Sequence, residues 1–310
     1  MTVRDHVEAA AYVAGWRFLR AVPERSARRA FTAAADVMWR RGGRPVDQLA
    51  RNLARVAPQA DLPALTRAGL RSYLRYWLEV FRLPALTPEE IVSRMRVDGL
   101  DHLRGALGGG RGVVAALPHM GNWDHAGAWA VLSGLAPTTV AERLRPEALF
   151  DRFVEFRTSL GIEVVPLTGG ERPPFPVLAD RLRAGRLVCL LADRDLTARG
   201  VPVTFFGEPT RMPAGPAALA LETGAALLPV TLWFTSTGTR ARVHPELAPP
   251  GAERAAQIRA MTQALADVFA AGIAEHPADW HMLQRLWLAD LDPAARARVA
   301  EDSVVGEDVV

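Results

Sequence analysis

The chain has no lysine: all 37 of the basic residues among its 310 are arginine. Arginine keeps its proton to above about pH 12, so the positive charge persists at any working pH. Cysteine is nearly absent as well. The single one, Cys189, excludes an internal disulfide. It lies in the apolar run 187–191 with no cation beside it, so a buried structural thiol is expected and not a nucleophile. There is no run of about 18 uncharged apolar residues, so no transmembrane helix is expected. The first ten residues, MTVRDHVEAA, bring in acids early and lack the apolar core of a secretion signal. Membrane contact is therefore expected to be peripheral and on the cytoplasmic face. The Gly-x-Ser-x-Gly elbow of serine hydrolases is missing. The glycines at 108–112 precede an apolar run instead of following one, which makes them a turn and not a dinucleotide loop.

Apolar residues make up 49% of the chain, enough for a sizeable core. The formal charge of +3 is unevenly spread: residues 1–60 carry 11 Arg against 5 acids. A basic end on a near-neutral body suits an anionic surface, lipid or nucleic acid. No recognisable nucleic-acid-binding motif accompanies the charge, which disfavours the second.

Helical periodicity covers roughly residues 1–85, with a stop at Gly42–Gly43 and a stretch at 62–81 carrying Tyr73, Tyr76, Trp77 and Phe81. Arg and Trp on such helices suit a bilayer interface. The alternative is that the aromatics face the core. From residue 100 short apolar runs alternate with helical segments. Strands are expected at 113–117, 138–141, 162–167, 187–192, 202–206, 226–234 and 240–245. Helices are expected at 122–132, 146–160, 176–184, 213–223, 252–273 and around 280–288. This pattern implies an α/β fold with a mainly parallel central sheet flanked by helices, plus an N-terminal helical subregion. A single domain over 1–300 is expected, with a membrane-facing helical part at 1–85, an α/β core at 95–290, and a flexible acidic tail at 301–310.

The segment Val113-Val-Ala-Ala-Leu-Pro-His119-Met-Gly-Asn-Trp-Asp124 carries the chemistry. A buried strand ends at Pro118 and His119 follows, at the strand end where parallel sheets bind ligands. On a straight helix five steps turn the chain about 140°, so His119 and Asp124 would not face each other. A bend at Gly121 before a helix from about Asn122 brings them together. A carboxylate can then hold the imidazole in one tautomer and stabilise its protonated form. Such a histidine takes a proton from an alcohol as general base, the attacking oxygen belonging to the substrate. Spacing alone also fits a pair with no role.

The His-x-x-x-x-Asp motif within LPHMGNWDHAG resembles the lysophospholipid acyltransferase superfamily, and its Gly-Asn-Trp-Asp form is similar to the lipid A acyltransferase branch. Leu191-Ala-Asp-Arg-Asp195, Val203-Thr-Phe-Phe-Gly207, Pro213-Ala-Gly-Pro216 and His276-Pro-Ala-Asp-Trp280 follow in the same order, so the likeness spans about residues 95–290. Ala141-Glu-Arg-Leu-Arg-Pro146 and Asp279-Trp-His-Met-Leu-Gln284 resemble most the actinobacterial phosphatidylinositol mannoside acyltransferases. The resemblance implies transfer of a palmitoyl-type chain from acyl-CoA, as co-substrate, to the 6-hydroxyl of a mannose on phosphatidylinositol mannoside. It implies no cofactor and no metal. His119 and Asp124 take the catalytic pair's places, and Asp193 that of a further carboxylate near the imidazole, where the family's usual residue is the longer Glu. Glu142 and Arg157 fall near the expected mannose or acyl donor. The Phe-Pro-Glu-Gly-Thr-Arg block of glycerol-phosphate acyltransferases is absent, which disfavours a lysophosphatidate acceptor.

Arg143, Arg145, Arg157, Arg194 and Arg211 lie near strand ends or loops. They would serve phosphates of the head group or coenzyme A, or else be solvated surface residues. Arg194 between Asp193 and Asp195 suits an ion pair better than a divalent-metal site. His125 is expected to be structural, and His276 and His281 make a poor zinc pair. Phe205, Phe206, Trp233 and Phe234 are expected in the core or along an acyl tunnel. Three readings remain: an acyltransferase, with this or another glycolipid acceptor; an acyl-CoA thioesterase on the same site; and a non-catalytic binder of anionic surfaces.

Overall fold

The computed structural model describes residues 19, 21–142, 147–195, 200–251 and 253–292. The first helices are α1 (Glu24–Arg41), α2 (Arg44–Val56) and α3 (Leu62–Arg82). Gly42 and Gly43 both take positive φ and end α1, as their position suggested. Among the aromatics of α3 Tyr76 is buried, and Tyr73, Trp77 and Phe81 are partly buried. Tyr76 is 3% exposed and packs with Trp77, Phe81, Phe153 and Phe156 in a core cluster.

A short helix α4 (Pro88–Ser93), capped by a Thr87–Glu90 box, leads into β1 (Met95–Asp98) and α5 (Leu100–Gly108). Then come β2 (Val113–Leu117), α6 (Trp123–Leu132), β3 (Thr138–Ala141), α7 (Glu147–Ser159), β4 (Glu163–Pro166), α8 (Pro174–Arg183) and β5 (Leu187–Leu191). The hairpin β6 (Val201–Phe205) and β7 (Glu208–Met212) is next, then α9 (Gly215–Thr223), β8 (Ala226–Phe234), β9 (Thr239–Val243) and α10 (Arg254–Glu275). The expected central elements are all present. The expected helix around 280–288 is not: single 3-10 turns stand at Pro277–Asp279 and Leu288–Asp290, and Trp280 and Trp287 instead make isolated bridges to Met120 and Thr210.

Among the described residues the main sheet has seven strands in the order β1-β9-β8-β2-β5-β3-β4. All pairings are parallel except β8–β9. β2 is central and every one of its residues is buried, which explains its unbroken apolar run. Its register with β5 fixes where the two chains leave the sheet: Leu117 lies opposite Leu191, so both strands end level and the two segments beyond them emerge side by side.

Candidate active site

Two residues past Leu117 stands His119, and two past Leu191 stands Asp193. Level strand ends therefore bring them together. The backbone N–H of Ala192 donates to the Leu117 carbonyl at 2.8 Å, holding the two segments in step. Asp193 is fully buried. Its Oδ1 lies 2.5 Å from His119 Nδ1, and its Oδ2 accepts the His119 backbone N–H at 3.0 Å and the Trp280 indole N–H at 2.9 Å. Burial alone would push this carboxyl up, but the charge and hydrogen bonds of His119 and the Trp280 N–H hold it below the ordinary carboxylate range. An ionised Asp193 on Nδ1 makes that nitrogen the protonated one. Nε2 is left bare to take a proton. The His119 side chain is about a quarter exposed, at 26%.

Asp124 does not take the place expected of it beside the imidazole. Its Oδ1 accepts Arg157 Nε at 2.7 Å, and its Oδ2 accepts the Tyr76 hydroxyl at 2.8 Å and a second Arg157 nitrogen at 3.3 Å. The cause is the local fold. Gly121 turns the chain with φ +61°, packed so closely on Leu232 that an added Cβ would lie 2.8 Å from that side chain. Asn122 then caps α6 by accepting the His125 N–H, which fixes Asp124 in the first turn, aimed at α3 and α7. The carboxylate steering His119 comes from a distant stretch of sequence, and its five-residue neighbour anchors an arginine instead. Burial opposes the charge of Arg157, but Asp124 raises its affinity for the proton above the ordinary value.

The other expected residues divide. Glu142 and Arg194, after β3 and β5, face each other at 3.6 Å beside the site. Arg157 sits at the site but is neutralised by Asp124. Asp195 accepts the Gly200 N–H and Arg211 donates to the Gly200 carbonyl, so both brace a loop. Arg143 and Arg145 lie outside the described residues, as does the tail at 301–310. His125 is structural, bonded to Thr239 and the Ile91 carbonyl. Burial pushes the Cys189 thiol up to about 12, leaving it a poor nucleophile.

Sequence reasoning missed the support from behind. Residues 279–281 run antiparallel to 119–121: Gly121 N–H donates to the Asp279 carbonyl at 2.9 Å and His281 N–H to the His119 carbonyl at 2.7 Å. Ser72 of α3 donates to Asp279 at 2.6 Å and lies 3.0 Å from His281 Nε2. Serine stands between the acid and the histidine here, so this is not a nucleophile triad. Burial, with His119 adding to it, lowers His281 to about 3, so the ring is neutral.

An apolar cavity of about 990 Å³, open mouth included, crosses the sheet face beneath α6. Side chains from β3, β5, β2, β8, β9 and β1 form its floor, and Ala126, Gly127 and Ala130 of α6 leave room above. Six strands at the usual ~4.8 Å spacing give a span of about 24 Å. Trp123, whose ring centre lies 5.7 Å from that of His119, forms part of the wall with Asp124 and Arg157. Phe205, Phe206, Trp233 and Phe234 lie outside its lining. Phe205 packs on Trp280 and Trp287, and Trp233 stacks on His276. No described helix is long and apolar enough to cross a membrane.

The chain is 58% identical over 291 residues to the phosphatidylinositol mannoside acyltransferase of Mycolicibacterium smegmatis (strain mc(2)155), covering 93% of this chain and 94% of that one. It is 55% identical over 294 residues to the protein of the same name from Mycobacterium tuberculosis (strain H37Rv), covering 93% and 91%. The model of the bacterial lipid A biosynthesis acyltransferases matches residues 2–289, nearly the whole chain. By the match of its sequence over residues 2–289, this chain belongs to the bacterial lipid A biosynthesis acyltransferase family.

Proposed function

We propose that this protein transfers a long-chain, palmitoyl-type acyl group from acyl-CoA to the 6-hydroxyl of a mannose on phosphatidylinositol mannoside. The observation that carries the reading is the His119–Asp193 pair beside a long apolar cavity. A bilayer's ~30 Å hydrocarbon core is two acyl layers, about 15 Å per chain, so a span near 24 Å accommodates one long chain.

In the proposed reaction Nε2 of His119 takes the proton of the mannose hydroxyl as its oxygen attacks the thioester carbonyl carbon. The tetrahedral intermediate collapses with cleavage of the C–S bond. The leaving thiolate of coenzyme A receives the proton from the imidazolium, and no external base is consumed. Asp193 stabilises the imidazolium between the two steps. Glu142 and Arg194 flank the acceptor side, and Asp195 and Arg211 shape the adjoining loop. The enzyme works from the cytoplasmic face of the membrane, held peripherally by the arginine-rich N-terminal part, each Arg near anionic lipid contributing about 1 kcal/mol.

The test is thiol release from palmitoyl-CoA with and without mannosylated phosphatidylinositol, with mass spectrometry of the lipid product. Release that depends on the acceptor, lost in His119→Ala with the fold retained, is the expected result. Release indifferent to the acceptor would make the protein a thioesterase, and a His119→Ala variant of normal turnover would remove the mechanism.

A further inference from the structure

The geometry points to Trp280 as a positioning residue for acyl transfer: its indole N–H fixes the carboxylate of Asp193, and through it the ring of His119, in the productive orientation. The inference rests on the acyl-transfer reading and adds a residue to it.

Trp280 and Asp193 are both fully buried, and the 2.9 Å hydrogen bond between them joins the C-terminal segment to the end of β5. Asp193 has three donors on two oxygens. Two of them belong to His119, the residue it must steer. Trp280 is the donor that does not move with His119, so it fixes the carboxylate against the rest of the protein. A carboxylate held only by the group it orients could rotate with it.

Trp280 is itself held on both sides. Its backbone lies in the bridge to Met120, between the Gly121 and His281 hydrogen bonds. Its ring packs edge-on against Phe205 and Trp287, with ring centres 6.0 and 6.1 Å away. The indole is thus a rigid arm between a packed aromatic cluster and a buried acid, with little freedom for its N–H to point elsewhere. A charge-assisted bond of this kind, formed where water is excluded, both places the acceptor and keeps it ionised.

The experiment compares two variants of the full chain. Trp280→Phe removes the donor and some packing. Site-specific replacement of Trp280 by its benzothiophene analogue, in which sulfur takes the place of the N–H, removes the donor and keeps the shape. With palmitoyl-CoA and mannosylated phosphatidylinositol, kcat of the benzothiophene variant is expected to fall about 10- to 100-fold, the range for losing one hydrogen bond to a charged group, with KM nearly unchanged. In an Asp193→Asn background the same replacement is expected to have little further effect. The nitrogen NMR shifts of the His119 ring, read without substrate, are expected to show less of the Nδ1–H form. A benzothiophene variant with native kcat and native ring shifts would overturn the assignment and leave Trp280 as packing alone. Should His119→Ala retain transfer, the reaction reading fails, and the ring shifts still decide whether Trp280 orients the pair.

Discussion

Asp124→Asn is expected to weaken the fold before it weakens any step of catalysis. Asp124 is 2% exposed, and its carboxylate faces Arg157 at 2.7 and 3.3 Å with the Tyr76 hydroxyl at 2.8 Å. Asparagine is nearly isosteric and keeps one oxygen, but it carries no charge. A guanidinium cannot shed its proton inside a protein, so Arg157 would remain charged and buried with its counter-ion gone. Removing one partner of a buried ion pair costs about 3–5 kcal/mol, and the retained oxygen argues for about 3. For a chain of this size that is a fall in Tm of about 5 °C. The assay is thermal and urea unfolding of Asp124→Asn beside Asp124→Asn/Arg157→Met. Taking away both charges is far less costly than taking away one, so the double variant should be the more stable of the two. If Asp124→Asn melted within about 1 °C of the native protein while losing acyl transfer, Asp124 would be a partner of His119 and not of Arg157. A double variant no more stable than the single would also refute the argument.

Two further outcomes come from the same geometry. His281 sits near 3 in the folded chain against an ordinary 6.5, so between those values the unfolded chain binds a proton that the folded one does not. Stability should therefore fall as pH drops below about 6.5, by about 2 kcal/mol on reaching pH 5, and denaturant unfolding of His281→Gln should show a flatter slope than the native chain. Gly121→Ala places a Cβ 2.8 Å from Leu232 at φ +61°, and should cost about 2 kcal/mol or more with loss of activity. An alanine variant with native melting and turnover would show that the turn can relax.

The elements were legible where the pattern was local. The run 113–117 and the nine-residue strand at Ala226–Phe234 were plain because both are buried along nearly their whole length. β1 escaped because it is a four-residue edge strand whose sequence, Met-Arg-Val-Asp, is half charged. β7 escaped because Glu-Pro-Thr-Arg-Met reads as a loop until its hairpin partner is known. His119 was visible from its strand end. Asp193 as its hydrogen-bonded partner was not derivable from spacing, since β5 pairs with β2 across two intervening strands of sequence and nothing local records strand order. Only the family likeness pointed there. The destination of Asp124 was hidden for the same reason: Tyr76 and Arg157 lie 48 residues before it and 33 after. A Trp-His pair past a long helix reads as another helical turn, and its docking on 119–121 appears only in three dimensions.

That docking has a consequence for how the molecule can be divided. The groups that hold the 119–121 turn and the segment docked on it are drawn from position 72 to position 281, and the last of them closes over that turn from behind. No fragment that stops before this final stretch contains a finished site, even though it would hold both the histidine and the acid. A chain cut shortly after α10 is expected to transfer no acyl group, and a growing one to gain activity only when nearly all of it has been made.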